Sequence, residues 1–183
     1  MRWMPRVLER AAGLPVLEIG CGGGEDSETL AGHGLDLVAF DLSAQAVAAA
    51  QARVPAARFL CRDVREPFPV DAAGVVVASL SLHYFPWAET EALVARVRET
   101  LLPGGMLLCR LNSTRDHHFG ASGHAAIAEN YYLVDGAPKR FFDRAAVDRL
   151  FAQGWRMLGV EEQVSHKYAR PKALWEVVLE RPD

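Results

Sequence analysis

Short apolar runs alternate with amphipathic or alanine-rich segments over the first 111 positions of the chain. A short apolar run indicates a strand of a buried parallel sheet, whereas apolar positions that repeat every three to four residues indicate a helix. The pattern predicts strands at 16–19, 35–40, 57–61, 74–79 and 106–111, and helices at 7–12, 26–33, 44–53 and 87–102. Because strands and helices alternate, we expect a mostly parallel sheet with helices on both faces.

The rest of the chain lacks this regular alternation. Residues 112–140 are rich in His, Gly, Asn and Tyr and have no clear period, which predicts irregular structure. A helix at 144–153, capped by Asp143, and strands at 155–163 and 173–179 follow. About ten polar residues join these two strands, too few for a parallel crossover, so we expect an antiparallel hairpin. The sequence therefore predicts an α/β fold with seven strands.

Composition and charge narrow the possible partners. The 183 residues, half of them hydrophobic, allow one domain with a buried core. A formal net charge of −3 provides no basic footprint, which disfavours nucleic acid as a partner. No apolar run approaches the ~20 residues of a membrane span, and the first ten residues lack a signal-peptide core. We therefore expect a cytoplasmic protein with no membrane partner, and the oligomeric state stays open.

A glycine-rich turn after the first strand organises the predicted site. Glycine has no Cβ, so it permits positive φ and the close approach of a ligand. In open α/β sheets, ligands bind at the carboxyl ends of the strands, which brings Asp41, Asp63 and residues 79–84 towards this turn. An acidic residue about 20 positions past the first glycine, such as Asp41, suits the hydroxyls of a ribose.

The residues around the turn distinguish two kinds of ligand. A dinucleotide fingerprint has glycine or alanine at the sixth position from Gly20, where this chain has Glu25. Glu25 and Asp26 would repel a pyrophosphate at a helix N-terminus that should attract an anion. Acidic groups here, with Glu18 two residues ahead of Gly20, suit a ligand that carries an ammonium or sulfonium group.

Five segments, in order, resemble the motifs of the class I S-adenosylmethionine (SAM)-dependent methyltransferases. They are residues 16–24, 38–43, 61–64, 75–84 and 101–105. The resemblance implies one domain over residues 1–183 with a Rossmann-like seven-stranded, mostly parallel sheet whose last strand is antiparallel. It also implies SAM as methyl donor and S-adenosylhomocysteine as product, and we expect a small-molecule acceptor that is uncharged or anionic. Residues 172–180 resemble the final strand of small bacterial methyltransferases, including the tellurite-resistance type.

The resemblance also assigns roles by matching position. Asp41 would hold the ribose, Asp63 and the Val64 amide would read the adenine edge, and the Ser79 carbonyl would receive the amino group. Glu18 would hold the glycine turn, whose backbone amides are its candidate partners. The cofactor-binding positions implied are Glu18, Gly20, Cys21, Gly22, Asp41, Leu42, Asp63, Val64, Ser79 and Leu80. Plain strand-end caps are the alternative for Asp41 and Asp63.

Methyl transfer needs a nucleophile held in line with the methyl group. His83, four residues past Ser79 and titrating near neutrality, is the candidate base, with a position in the substrate wall as its alternative. Tyr84 is the second catalytic candidate and could instead form a wall near the sulfonium. Residues 112–142 are a candidate substrate lid that would carry acceptor specificity.

Other chemistry is less well supported by the residues present. A metal site at His117, His118 and His124 is disfavoured, because adjacent histidines point apart on any regular element. Cys21, Cys61 and Cys109 form no paired motif that would indicate zinc or a disulfide framework. An NAD-dependent oxidoreductase is one alternative function, which Glu25 disfavours. A non-catalytic protein of this fold that binds SAM or a partner is the other.

Overall fold

The computed structural model describes residues 3–11 and 13–183. Within them the helices are α1 (Met4–Ala11), α2 (Glu25–Gly32), α3 (Ala44–Arg53), α4 (Trp87–Thr100) and α5 (Arg144–Leu150), with a short 3₁₀ helix at His117–Phe119. The strands are β1 (Val16–Ile19), β2 (Leu37–Asp41), β3 (Arg58–Cys61), β4 (Ala73–Ser79), β5 (Leu101–Asn112), β6 (Ala125–Ala128), β7 (Tyr131–Val134), β8 (Ala137–Arg140), β9 (Arg156–Ser165) and β10 (Lys172–Glu180).

The main sheet of the described residues has seven strands in the order β3-β2-β1-β4-β5-β10-β9. Strands β1 to β5 pair in parallel, and β10 pairs antiparallel with both β5 and β9. The predicted Rossmann-like α/β fold and the antiparallel terminal hairpin are therefore confirmed. Because β9 runs parallel to β5, the loop between β9 and β10 lies at the same sheet edge as the carboxyl ends of β1 to β5.

Helices cover both faces of this sheet, as predicted. Successive strand residues point to opposite faces, so Val16 packs in a buried cluster with α1, α2 and α3, whereas Leu17 packs with α4 and α5. The predicted Asp143 cap is confirmed, because its side chain accepts from the Ala146 amide at the start of α5. Ser43 begins α3 in the same way, with its Oγ accepting from the Ala46 amide at 3.2 Å.

The structure differs from the predictions at several element ends, among them the start of β5 at Leu101 and the end of α5 at Leu150, and most clearly at the first helix and in residues 112–140. The first helix begins three residues before the predicted start at Val7, and Ala12, its predicted end, lies outside the described residues. Residues 112–140 are not irregular throughout, because β6, β7 and β8 form a three-stranded antiparallel sheet within them. Asp135 and Gly136 both have positive φ, 52° and 80°, and make the tight turn between β7 and β8.

Candidate functional site

A cavity of about 1340 Å³ opens at the carboxyl ends of the parallel strands. It is lined by the glycine turn, the residues that follow β2, β3 and β4, and the start of α2. All ten predicted cofactor-binding residues line it, from Glu18 to Leu80. Two outer segments complete the wall: Tyr131 and Pro138 of the small sheet, and Lys167 and Tyr168 of the hairpin loop.

The glycine turn holds its shape through contacts with the end of β2. Gly20 has φ of 70°, and the Gly20 and Cys21 amides both donate to the Phe40 carbonyl, at 2.9 and 3.1 Å. A Cβ added to Gly20 would lie 2.5 Å from the Ser81 Cβ, so only glycine fits at this position. The absence of a Cβ at Gly20 therefore lets the turn pack closely against Ser81 at the carboxyl end of β1.

Asp41 connects this turn to the start of α3. Its Oδ2 accepts from the Gly22 amide at 3.0 Å, and its Oδ1 accepts from the Ser43 amide at 2.9 Å. A carboxylate has about four acceptor positions, so two remain for the hydroxyls of a ligand. Next to it, Leu42 exposes 69% of its surface, an apolar side chain on the cavity wall that a bound ligand would cover.

Glu18 lies under the turn and is 2% exposed. Burial raises its pKa to about 8, so the side chain is mostly protonated at neutral pH. The Ser27 hydroxyl of α2 donates to Glu18 Oε2 at 2.5 Å. The expectation that the glycine-turn amides bind Glu18 is wrong, because the Gly20, Cys21 and Gly22 amides donate to residues of β2 instead.

Arginines neutralise the other acidic residues near the turn. Asp26 pairs with Arg110 of β5 at 2.8 Å, and Arg110 also contacts Glu176 of β10 at 3.4 Å. Glu25, which is exposed, lies 3.3 Å from Arg53. The predicted negative field around the turn is therefore weaker than the sequence suggests, because these carboxylates already have cationic partners.

Asp63 and Val64 follow β3 at the next part of the wall. The Arg65 guanidinium donates to both Asp63 oxygens, at 2.9 and 2.6 Å, and holds the pKa of this carboxyl at about 2. Arg96 donates to the Val64 carbonyl and stacks on Phe68. Asp63 is thus a charged carboxylate whose oxygens are already engaged by Arg65.

The segment after β4 turns sharply towards the cavity. Leu80 has φ of 57°, a backbone conformation that costs a non-glycine residue about 1–3 kcal/mol and occurs often at functional sites. Arg110 donates to Ser79 Oγ at 3.1 Å, and its carbonyl accepts from the Leu80 amide. Ser81 Oγ is buried and has no hydrogen-bond partner among residues 3–11 and 13–183. Ser81 is not among the site residues predicted from the sequence.

His83 and Tyr84 differ in their access to the cavity. Tyr84 lines it and is 40% exposed, and burial of the hydroxyl raises its pKa. His83 is 3% exposed and does not contribute to the lining. Burial lowers the His83 pKa to about 3, so the ring is neutral. The predicted role of His83 as a base does not fit this geometry, because the side chain is buried and is not among the residues that line the cavity.

The predicted lid segment packs directly on this part of the site. The Arg140 amide donates to the His83 carbonyl at 2.7 Å, and the Tyr131 hydroxyl donates to the Tyr84 carbonyl at 3.0 Å. Tyr131 lines the cavity, so the small sheet supplies one of its outer walls. Arg140 stacks over the Tyr131 ring at 4.5 Å, which holds that wall in place.

The hairpin loop supplies wall residues that the sequence analysis missed. Lys167 and Tyr168 line the cavity, and Tyr168 packs edge-on against Phe119 of the 3₁₀ helix. A buried ion pair between Lys172 and Asp116, 2.8 Å long, joins the start of β10 to that helix. The loop and the lid segment therefore form one connected outer wall.

No group of three His, Cys, Asp or Glu side chains in residues 3–11 and 13–183 is arranged to hold a metal ion. In the same residues, no helix has the length and apolar character needed to cross a membrane.

Part of the chain is similar in sequence to a known domain family and to curated proteins. A family model described as a methyltransferase domain matches residues 16–105, from the start of β1 into β5. The curated trans-aconitate 2-methyltransferase of Paracidovorax citrulli (strain AAC00-1) is 28% identical over 173 residues, which cover 91% of this chain. The chain spans 62% of the length of that relative.

Solved structures share the fold over nearly the whole chain. A SAM-dependent methyltransferase of Methanosarcina mazei has a TM-score of 0.76 at 15% identity and covers 92% of both chains. A second, from Mesorhizobium loti, has a TM-score of 0.73 at 22% identity and covers 99% of this chain and 98% of its own. The resemblance of residues 172–180 to the tellurite-resistance type stays a prediction from the sequence.

Proposed function

We propose that this chain, whose residues 16–105 match a methyltransferase-domain model, is an enzyme that transfers a methyl group from SAM to a small-molecule acceptor. The observation that carries the proposal is the link between the glycine turn and Asp41. The Gly22 amide fixes one Asp41 oxygen at 3.0 Å, and the carboxylate keeps acceptor positions beside a cavity of about 1340 Å³. This arrangement supports an adenosyl ligand that carries ribose hydroxyls.

The residues present fit this donor. A Cβ added at Gly22 would meet nothing within 4 Å, so the turn leaves open space at that position, and the buried Ser81 hydroxyl lacks a partner in the described chain. In our proposal Gly20, Cys21 and Gly22 line the amino-acid end, and Asp41 and Leu42 hold the ribose and the adenine face. Asp63 and Val64 border the adenine edge. Ser79 and Leu80 lie beside the amino-acid end. When bound, SAM supplies an electrophilic methyl group on a sulfonium.

The protein's contribution to transfer is orientation of the acceptor. Positioning a nucleophile in line at near-attack distance supplies much of the rate enhancement of such a reaction. Tyr84 lies on the cavity wall and is the residue we assign to this task, either by contact with the acceptor or by its hydroxyl. His83 is not assigned a proton-transfer role, because the buried ring has no access to an acceptor.

We assign acceptor selection to the outer wall. Residues 112–142 supply Tyr131 and Pro138 to the cavity, and the hairpin loop supplies Lys167 and Tyr168. Lys167 adds a cation to this wall, which supports an anionic acceptor. The relative from Paracidovorax citrulli is named for trans-aconitate, a tricarboxylate, and this compound is the first acceptor to test.

A methyl-transfer screen tests the proposal. The protein is incubated with SAM and single candidate acceptors: trans-aconitate, related di- and tricarboxylates, neutral alcohols and amines. We expect S-adenosylhomocysteine to accumulate with at least one acid and not in the absence of an acceptor. D41A serves as the matched control, and at a SAM concentration that does not saturate the variant it should form less S-adenosylhomocysteine than the wild type. Tight SAM binding without turnover of any compound would favour the non-catalytic alternative, and absence of SAM binding would contradict the proposal.

A further inference from the structure

The cavity is larger than one small ligand requires. Its volume is about 1340 Å³, whereas pockets for a single small molecule usually measure about 300–1000 Å³. The proposed function places the donor against the glycine turn, Asp41 and Asp63. The remaining wall comes from residues 84–86, the small sheet and the hairpin loop, and we call the space beside it the outer cavity. The outer cavity is therefore the part that is open to the acceptor.

Aromatic side chains supply much of the wall of the outer cavity. Tyr84 and Phe85 come from the segment after β4, Tyr131 from β7 and Tyr168 from the hairpin loop. Tyr84 is 40% exposed and Tyr131 only 5%, so Tyr84 and the partly exposed Tyr168 offer more ring surface to a ligand than Tyr131 does. Aromatic rings pair best with other rings in offset-stacked or edge-to-face arrangements. This wall therefore favours a flat ligand.

Neighbouring side chains hold these two tyrosine rings in place. The buried His83 ring packs against Tyr84, with the ring centroids 4.1 Å apart. Tyr168 packs edge-on against Phe119 at 6.0 Å, and the Lys172 ammonium lies 5.8 Å from its ring centroid. A ligand that meets side chains already held in position pays a smaller entropic cost on binding. The rings are thus preformed surfaces, and His83 serves as packing under one of them.

Among the described residues of the cavity wall, Lys167 is the cation without an acidic partner. The Arg62 and Arg65 guanidinium groups pair with carboxylates at 3.2 and 2.6 Å. Lys167 contacts the Tyr168 ring, with its ammonium 5.6 Å from the centroid, and forms no ion pair within residues 3–11 and 13–183. A ligand stacked on Tyr168 would therefore bring an attached carboxylate close to a cation that can bind it.

We propose that the acceptor is a flat carboxylic acid, in which an aromatic ring or a conjugated double bond is attached to the carboxylate. Tyr84 and Tyr168 select this shape by stacking, and Lys167 binds the charge. Tyr84 and Tyr168 are therefore specificity-determining residues. The inference rests on the proposed function, because it takes the outer cavity as the acceptor site of a methyl transfer from SAM.

Pairs of acids with equal charge separate the effect of flatness from the effect of charge. Benzoate and cyclohexanecarboxylate carry one carboxylate each, and trans-aconitate and propane-1,2,3-tricarboxylate carry three each. The first member of each pair is flat beside a carboxylate, and the second is saturated. Because cyclohexane has at least as much apolar surface as benzene, the hydrophobic effect alone does not favour benzoate. We expect the flat member to bind about two- to tenfold more tightly, the range for a stacked ring pair.

Isothermal titration of the whole chain, saturated with S-adenosylhomocysteine, measures these affinities without turnover. Y84L and Y168L keep an apolar side chain but remove a ring, so each should reduce the preference for the flat acid. Y168F keeps the ring and should keep the preference. Y132L is the matched control, because Tyr132 belongs to the small sheet but does not line the cavity. K167Q should weaken both members of a pair by a similar factor and leave the preference unchanged.

The outcomes distinguish this inference from the proposed function. If neither SAM nor S-adenosylhomocysteine binds, the proposed function is contradicted, and the inference with it. If S-adenosylhomocysteine binds but none of the four acids does, or if the saturated acids bind as tightly as the flat ones, the proposed function stands and the inference is overturned.

The variants provide a second check. If Y168L weakens S-adenosylhomocysteine binding as strongly as benzoate binding, Tyr168 covers the donor and the inference is overturned. An equal loss of preference in Y132L and Y168L would also overturn it, because the effect would not be specific to the cavity wall. Thermal unfolding shows whether each leucine variant folds. If one does not, the preference of the wild type and of Y168F between the paired acids still decides the question.

Discussion

Replacing Gly20 with alanine perturbs the tightest contact of the candidate site. Gly20 has φ of 70°, and an added Cβ would lie 2.5 Å from the Ser81 Cβ. Gly22 provides a matched control, because its φ is 53° but an added Cβ would meet nothing within 4 Å. The two variants share the strained backbone, and only G20A adds the collision with Ser81.

The expected magnitudes follow from these two contributions. A side chain in left-handed backbone costs about 1–2 kcal/mol, so G22A should lower the free energy of unfolding by that amount. Overpacking adds about 1–3 kcal/mol, so G20A should lower it by about 2–5 kcal/mol. Because relief of the collision displaces Ser81, G20A should also weaken S-adenosylhomocysteine binding by about tenfold or more, equivalent to about 1.4 kcal/mol.

Urea denaturation and isothermal titration measure both effects. The double variant G20A/S81G removes the Ser81 Cβ and should recover the overpacking part of the stability loss but not the backbone part. Equal destabilisation by G20A and G22A, or no recovery in the double variant, would refute the reasoning. Either result would mean that the turn can move away from Ser81 at little cost.

Three other perturbations test separate parts of the site. D41A should weaken SAM binding by about 1.5–3 kcal/mol, the range for hydrogen bonds to a charged group. Isothermal titration of the variant with SAM measures this loss, and an unchanged affinity would show that Asp41 does not bind the ribose. D116A leaves the Lys172 ammonium buried without its carboxylate, so it should lower the free energy of unfolding, measured in urea, by about 3–5 kcal/mol. The double variant D116L/K172M removes both charges and should lower the free energy of unfolding by less. Equal losses in the two variants would argue against a buried ion pair. His83 has a pKa of about 3 in the folded protein against 6.5 ordinarily, so its contribution to stability is complete above pH 6.5 and is lost as pH falls towards 3. H83F should therefore lose less stability than the wild type between pH 6.5 and pH 3, as measured by denaturation at several pH values. If the stability of H83F falls with pH as steeply as that of the wild type, groups other than His83 cause the pH dependence.

The sequence predicted the parts of the site that follow from strand order. Asp41 and Asp63 end predicted strands, and parallel strands bring their carboxyl ends to one edge, so both residues line the cavity as expected. The contribution of the hairpin loop to the cavity wall could also have been predicted from the sequence. Because the final strand β10 is antiparallel to both β5 and β9, β9 runs parallel to β5. The loop that follows β9, with Lys167 and Tyr168, therefore lies at the same sheet edge as the carboxyl ends of the parallel strands.

The small sheet in the lid segment was missed for a recognisable reason. Its strands have four residues each, and Pro138 lies inside β8, which weakens the strand pattern. The Asp135-Gly136 pair between two short runs is nevertheless a strong hairpin signal, and the structure has positive φ at both residues. A search for turn residues would have found this hairpin where periodicity did not.

Other features depend on three-dimensional contacts that residue patterns do not show. Leu80 adopts a left-handed backbone directly after β4, which alters the direction of the chain before His83. The position of His83 relative to the cavity is therefore not readable from its distance to Ser79 along the sequence. In the same way, the pairing of Asp26 with Arg110 joins residues 84 positions apart.

The central claim is that the glycine turn and Asp41 form the binding site of an adenosyl methyl donor. Isothermal titration of the wild-type chain with SAM, S-adenosylhomocysteine and NAD, each against D41A, tests it most directly. We predict saturable heat with SAM and with S-adenosylhomocysteine, weaker binding of both to D41A, and no binding of NAD. Saturable binding of NAD together with no heat from SAM would contradict the claim.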